Sequence, residues 1–310
     1  MPHTALPSPS APPVVFVGAA TMDSIVLVSG YPGPDERVVA EDLVFAGGGP
    51  AATAAVAAAR LGVEAAFVGT VGDDEDGRRI LEDLAAEGVD VSGVTRAAGA
   101  RSAASVIVVD ALRGTRAICN RPGPGVDTAR GAELVRGAQW VHADHVGWAA
   151  VAQLLDLTAT ARPKVSVDAG NPIPDFTPAG VDLYVPTLEA LRRTHGDGTG
   201  DEALLEAALR EGARRVVATD GSRGSLAADA TGERARAAGV PVDVVSTLGA
   251  GDVFHGALVA AHVRDLPLDD ALEYANHVAA LSCLGLDGRS AIPTHDDVTA
   301  RLRARSARPA

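Results

Sequence analysis

Past residue 127 the chain alternates short apolar runs with helical patterns. Strand-like runs at Trp140 to Ala143, Lys164 to Asp168, Leu183 to Val185 and Arg215 to Thr219 are interleaved with helical stretches beginning at Trp148, Leu188 and Asp201. Strands separated by helix-length segments cannot pair as tight hairpins, so they run parallel and each crossover lays a helix on a face of the sheet. The rhythm therefore dictates an α/β fold in three layers. A sheet covered on both faces consumes much apolar side chain, and 310 residues at 47% hydrophobic supply it.

The first half is less regular. Val14 to Gly18 reads as a buried first strand. Ser24 to Phe45 is β-branched and broken by "GYPGPDE", which predicts strands standing apart from the main sheet. Pro50 opens an Ala-rich helix that Gly62 ends, and Val63 to Val68 is the next strand. "DDED", Asp73 to Asp76, reads as the solvated start of an amphipathic helix closed by Gly88. A second strand-rich insertion, "SAASVIVVDALRGTRAICN", turns at Arg113 and Gly114. Ser225 to Asp229 and Val242 to Val245 are the last expected strands, followed by mainly helical sequence. With no internal repeat or linker, residues 14–310 are expected to form one domain, with a small β lid from about 24–46 and 101–120. Residues 1–13 have neither a basic start nor an apolar core and are expected to be a disordered lead-in.

Charge and cysteine content exclude several classes. A net charge of -13 argues against a nucleic-acid partner, whose phosphates demand clustered Lys and Arg. Cys119 and Cys283 are too few for a disulfide framework, which suits a cytoplasmic setting. The most apolar run, "GGGPAATAAVAAARLG", is closed by Arg60 well short of a bilayer span, so no membrane segment is expected.

One motif carries chemistry. In "STLGAGDVFHGAL", Ser246 to Leu258, the small residues Gly249, Ala250 and Gly251 precede Asp252 at the start of an apolar helical run. A helix N-terminus has unpaired N–H groups and a partial positive charge, and small residues let an anion approach them. Asp252 would repel bound phosphate, so it belongs there as the base that takes a proton from a group attacking that phosphate. Taken alone, the stretch could equally be an ordinary helix start with a dipole-favourable Asp. Two usual nucleotide motifs are excluded. Lys164 is the only lysine and follows Pro163, so neither a P-loop nor a protein-kinase lysine exists. "GAATMD" after the first strand lacks the glycines of a dinucleotide fingerprint at Ala20 and Asp23.

With "GGGPAATAAVAAARLG" near the N-terminus and "VVATDGSRGSLAAD" before it, the motif makes residues 14 to 295 resemble the ribokinase-like (phosphofructokinase B type) carbohydrate kinases. The wording is most similar to the ketohexokinase and sulfofructose kinase branch. The resemblance implies a three-layer α/β domain whose β lid closes over a sugar, and ATP- and Mg²⁺-dependent phosphorylation of a sugar hydroxyl. It implies that Asp252 is the base and that the amides of Gly249, Ala250 and Gly251 form the anion hole. Thr219, Gly221 and Gly224 fall on the family's nucleotide turn, Asn276 on its adenine-side helix, and Asp23, Gly48 and Gly49 on sugar-contacting positions. A homodimer formed through the lid is expected. The leading acceptor is a fructose-like ketose phosphorylated at its primary 1-hydroxyl, with a nucleoside kinase or a catalytically weak sugar- or nucleotide-binding regulator as alternatives.

Departures from the pattern bear on ions and substrate. Ser246 replaces an Asp that orders a monovalent-cation loop, so K⁺ activation is doubtful. Thr187 and Ala190 replace an N-x-x-E pair that organises Mg²⁺, with Glu189 nearby and the metal ligands unknown. Thr53 stands where an Asn commonly follows the glycine pair, and is kept among the substrate positions. Asn120 and Arg121 could bind a sulfonate or phosphate on the sugar, since Arg forks around tetrahedral oxyanions; otherwise Arg121 is a solvated loop arginine. "HADHVG", His142 to Gly147, reads as a strand end facing the sugar cleft rather than a metal cluster. His255, one helical turn past Asp252, reads as packing more than nucleotide contact. Asp168 ends a strand on the side where α/β ligands bind, a candidate for substrate or Mg²⁺.

Overall fold

The structure, a computed structural model, describes residues 13–196, 198 and 200–306. The lead-in expected over residues 1–13 lies outside them apart from Pro13. The first half contains β1 (Val14–Val17), β2 (Thr21–Val28), β3 (Asp42–Gly48), α1 (Pro50–Arg60), β4 (Ala65–Val68), β5 (Thr70–Gly72), α2 (Glu75–Ala86), β6 (Thr95–Ala97), β7 (Ala103–Asp110) and β8 (Thr115–Arg121). The second half continues with α3 (Ala132–Gly137), β9 (Trp140–Ala143), α4 (Trp148–Leu154), β10 (Lys164–Asp168), β11 (Leu183–Val185), α5 (Leu188–His195), α6 (Asp201–Arg210) and β12 (Arg215–Thr219). After a single 3₁₀ turn come β13 (Gly224–Asp229), β14 (Arg234–Ala238), α7 (Ala250–Val263), α8 (Leu268–Ser282) and α9 (His295–Ser306).

Eight strands form the central sheet in the order β14-β13-β12-β11-β10-β9-β1-β4, parallel from β4 to β12. β13 and β14 add an antiparallel edge. Alternation along β1 separates the two cores: Val14 and Phe16 join α1, α7 and α8 on one face, while Val15 and Val17 join α3 to α6 on the other. The alanines of α1 have a specific use. A Cβ on Gly256 of α7 would overlap the carbonyl of Ala54, so the two helices meet backbone to backbone. Small side chains on both make that approach possible.

The strand-rich insertions pair as a second sheet, β3-β2-β7-β8, built from two antiparallel hairpins joined by parallel β2 and β7. On its inner face Ile25, Ile107 and Val109 pack with Leu248 and Leu286, which sets the sheet over the start of α7. On its outer face Leu43, Phe45 and Val106 are more than half exposed.

One expected strand is replaced. Val242 to Val245 forms no strand; Val244 and Val245 lie exposed, and the N–H groups of Val245 and Ser246 both donate to the carbonyl of Cys283. The edge strand is β14, whose inward side chains are only Ala235 and Ala237 between outward Arg234, Arg236 and Ala238. Two alanines give little apolar signal. "DDED" is likewise more than a solvated start: Asp74 caps α2 through Gly77 N and also accepts from Ser102 N and Oγ, tying α2 to the small sheet.

Candidate active site

The first turn of α7 is shaped by what its residues lack. Gly249 is in the left-handed region at φ 72°, and a Cβ there would meet Gly288 Cα at 2.8 Å, so glycine suits the position on both counts. Nothing lies within 4 Å of where a Gly251 Cβ would be. Among the described residues, the N–H groups of Ala250, Gly251 and Asp252 have no acceptor a turn earlier in the helix, and only that of Ala250 has a loose local one, the carbonyl of Thr247 at 3.4 Å. The result is a bare, positively polarised helix end beside a carboxylate.

Beneath that end lies a buried polar cluster where an α/β core is normally apolar. Asp168, at the end of β10, takes His255 Nε2 at 3.2 Å on Oδ1 and the N–H of Gly170 at 2.9 Å on the same oxygen. Burial pushes the Asp168 carboxyl up, but the charge and hydrogen bond of His255 outweigh it and hold it well below the usual carboxylate range. For His255 burial opposes the charge, and Asp168, followed by Asp252 and Asp144, raises its pKa overall. His142 is fully buried, bonds Ser166 Oγ through Nδ1 at 3.1 Å, and is pushed down to about 3 by burial and by the neighbouring His255 charge. Asp252 is partly buried, and that burial followed by repulsion from Asp168 lifts it to about 7, against the attraction of His255. Two carboxylates within reach of each other's charge are thus pushed in opposite directions. His255 packs, as read from the sequence, against His142 and Phe254, and it is also the counter-ion of Asp168.

"HADHVG" forms no metal cluster. The Asp144 carboxylate is consumed by four backbone donors, Ala19 N at 2.8 Å, Ala51 N at 3.1 Å, and Val146 N and Gly147 N at 2.8 Å. It joins the turn after β1, the start of α1 and the end of β9. Among the described residues no group of three His, Cys, Asp or Glu could hold a metal ion.

On the side of the small sheet, Asp23 and Gly48 come together: a Cβ on Gly48 would overlap Asp23 Oδ2. Asp23 is buried, and its pKa is raised by that burial, with Thr21, Ser105 and the Arg289 charge pulling the other way. Its Oδ1 and Thr21 Oγ1 make no hydrogen bond of normal geometry among the described residues. Gly49, at φ 91°, carries the chain past Ala19 and Ala20, where a side chain would collide. Thr53 is turned to the protein: its Oγ1 faces Arg289 Nε at 3.2 Å. Asn120 and Arg121 part company. Asn120 pairs with Ser105 across the ladder and shares the face of Asp23, whereas Arg121, one residue on, points to the opposite face and donates to Ser102 O at 2.8 Å, with Asp76 at 3.4 Å. That face borders a cavity of about 450 Å³ with Met22, Phe45 and Arg79. Arg289 is the residue that sequence reasoning missed.

The positions assigned to the nucleotide converge on the end of β14. A Cβ on Gly224, at φ 101°, would overlap the carbonyl of Ala237, and Asn276 Nδ2 donates to the carbonyls of Ala237 and Ala238 at 3.1 and 3.3 Å. Gly221, at φ 54°, opens the 3₁₀ turn, and Thr219 ends β12 beside it, paired with Ser225. Thr187 caps α5 by accepting from Ala190 N at 3.0 Å, and Glu189 is exposed and paired with Arg193. Ser246 Oγ accepts from Leu248 N at 3.1 Å, shaping the turn before the glycines.

Relatives carry the same plan. The model of the pfkB family of carbohydrate kinases matches residues 12–295. The chain is 32% identical over 300 residues to an ATP-dependent ribose-1-phosphate kinase of Halopiger xanaduensis, covering 94% of this chain and 98% of that protein. It is 28% identical to fructokinase-1 of Oryza sativa subsp. japonica, covering 92% and 96%. The structure of Arabidopsis thaliana ribokinase complexed with ribose and ATP superposes with a TM-score of 0.81 at 25% identity, covering 94% of this chain and 99% of that one. Names of pentose and fructose kinases stand together among these relatives, so the ketohexokinase branch is not singled out. The chain belongs to the pfkB family of carbohydrate kinases, and its fold is that of the ribokinases.

Proposed function

We propose that the protein transfers the γ-phosphoryl group of ATP to a primary hydroxyl of a furanose sugar, the ring form common to ribose and to the ketohexoses. The observation that carries this is the bare first turn of α7 beside Asp252, whose pKa near 7 suits a base at neutral pH. The names of the relatives, a ribose-1-phosphate kinase, a ribokinase and a fructokinase, support the substrate class.

The acceptor hydroxyl sits against Asp252, and Asp23 Oδ1, buried without a partner, takes a hydrogen bond from the sugar. As the new O–P bond forms and the bond to ADP breaks, the hydroxyl proton passes to Asp252. Charge spreading over the transferred group is met by the N–H groups of residues 249 to 251, donors that need no reorganisation. The His255 counter-charge keeps Asp168 ionised, and the Asp168 charge helps keep Asp252 basic against the direct pull of His255. Mg²⁺ takes one or two carboxylates together with phosphates and water. The residues fit that habit: both protein donors to Asp168 use Oδ1, which leaves Oδ2 to hold the ion. Bound there, Mg²⁺ would neutralise phosphate charge. We take the small sheet, residues about 24–46 and 101–120, as the lid, because Arg116 Nη1 reaches from β8 to Thr247 Oγ1 at 2.8 Å, immediately before the glycines.

A coupled ADP-release assay over ribose, ribose 1-phosphate, fructose, 6-deoxy-6-sulfofructose and adenosine tests the proposal. Turnover with a sugar is expected. Turnover with adenosine alone would favour a nucleoside kinase, and tight sugar binding without any turnover would favour a regulator.

A further inference from the structure

Arg289 lies on the loop between α8 and α9, only 7% exposed, and among the described residues no carboxylate lies within 4.0 Å of its guanidinium. Its bonds go to neutral acceptors, Nη2 to the carbonyl of Gly48 at 2.8 Å and Nε to Thr53 Oγ1 at 3.2 Å. Nη1 fills the space that a Gly47 Cβ would take. A buried guanidinium with no carboxylate in contact is costly to keep, and its burial outweighs the attraction of Asp23, Asp83, Glu87 and Asp252, lowering its pKa to about 10. Its backbone is nonetheless fixed from two sides. Arg60 Nη1 donates to the carbonyls of Arg289, Ser290 and Ile292 while the same side chain forks on Glu87, and Asp287 Oδ1 accepts from the N–H groups of Arg289 and Ser290. The loop is thus held by groups other than the guanidinium it presents.

On the adjacent residue the twin glycines make room for the opposite charge. Gly47 yields to Arg289 and Gly48 to Asp23, whose Oδ1 is buried without a partner. A carboxylate and a guanidinium therefore flank the same two residues, each feeling the other's charge, yet among the described residues they form no ion pair within 4.0 Å. A neutral sugar answers only the acid, through its hydroxyl groups. A sugar bearing a phosphate or sulfonate answers both.

We propose that Arg289 selects an acceptor that already carries a tetrahedral oxyanion, so the preferred substrate is an anionic sugar. This deepens, and rests on, the sugar-kinase reading above. Arg121, the arginine expected to play that part, points to the other face of the small sheet, where its Nη2 meets Ser102 O and Asp76.

The test compares kcat/KM for matched acceptors, ribose with ribose 1-phosphate and fructose with fructose 6-phosphate and 6-deoxy-6-sulfofructose, in wild type, Arg289→Lys and Arg289→Met. Wild type should prefer the anionic member by about 100-fold, the scale of a buried charge pair. The phosphate and sulfonate arms show which oxyanion fits. In Arg289→Met the ratio should collapse to within about threefold of unity, with Arg289→Lys between, since an ammonium keeps the charge and loses the fork. No preference in wild type, or equal loss toward charged and neutral acceptors in Arg289→Met, would overturn the proposal and leave the kinase reading standing. If no sugar is turned over, that reading fails, and calorimetric titration with the same sugars decides about Arg289 separately. Binding of the anionic member by wild type and not by Arg289→Met supports it; equal binding by both, or by neither, sinks it.

Discussion

As the proposed base, Asp252 would serve the reaction at the expense of the fold. Its pKa is lifted to about 7 from 3.8, so between those values the folded protein holds a proton that the unfolded chain has released. Stability associated with this group therefore falls as pH rises from about 4 through 7. Asp252→Asn, which cannot ionise, should melt at a higher temperature than wild type at pH 8, with the gap closing toward pH 4. The rate runs the other way: kcat/KM should rise with pH through an acid limb near 7, as the base ionises. His255 makes the complementary case. Removing it in His255→Ala strands a buried carboxylate, a loss of about 3 kcal/mol in urea unfolding at pH 6. Because its pKa is raised in the fold, the contribution of His255 is fully present below about 6.5 and fades as pH climbs through the folded value. The wild-type advantage over His255→Ala should shrink accordingly in titrations at pH 6 and pH 9.

Among the elements, the N-terminus of α7 allows packing and chemistry to be separated. A side chain at Gly251 enters open space, and leucine is a better helix former than glycine. Gly251→Leu should keep or raise the melting temperature while cutting kcat by about 100-fold or more, as it fills the anion hole. A matched fall in stability would mean the glycine is there for packing. The same element shows what sequence can reveal. Strands β9, β10, β11 and β12 were legible to the residue because each is a dense, short apolar run. β14 was not, since its buried side chains are two alanines in an arginine-rich edge. The motif around Asp252 is local and so could be read, whereas Arg289 meets Gly48 and Thr53 across 241 and 236 residues. His255 paired with Asp168 was hidden for the same reason. Nothing in "LDGRSAIP" marks one arginine among many as buried.

At the scale of the molecule, the outer face of the small sheet leaves Leu43, Phe45 and Val106 exposed at 55%, 68% and 54% on a chain of net charge -13. Large apolar side chains exposed on one sheet face suit association, and we propose a second copy of the chain as their occupant. Phe45→Glu should convert a dimer to a monomer in light scattering; an unchanged mass would place the interface elsewhere. No helix among the described residues is long and apolar enough to cross a membrane. The two halves of the molecule, glycine-lined helix end and small sheet, matter jointly only if phosphate passes between them. Rapid-quench measurement of one turnover, with saturating ATP and the preferred sugar, follows that passage directly. The account predicts that Asp252→Asn slows the transfer step by about 10² to 10⁴-fold while the affinity for ATP is retained; transfer by the variant at close to the wild-type rate would contradict it.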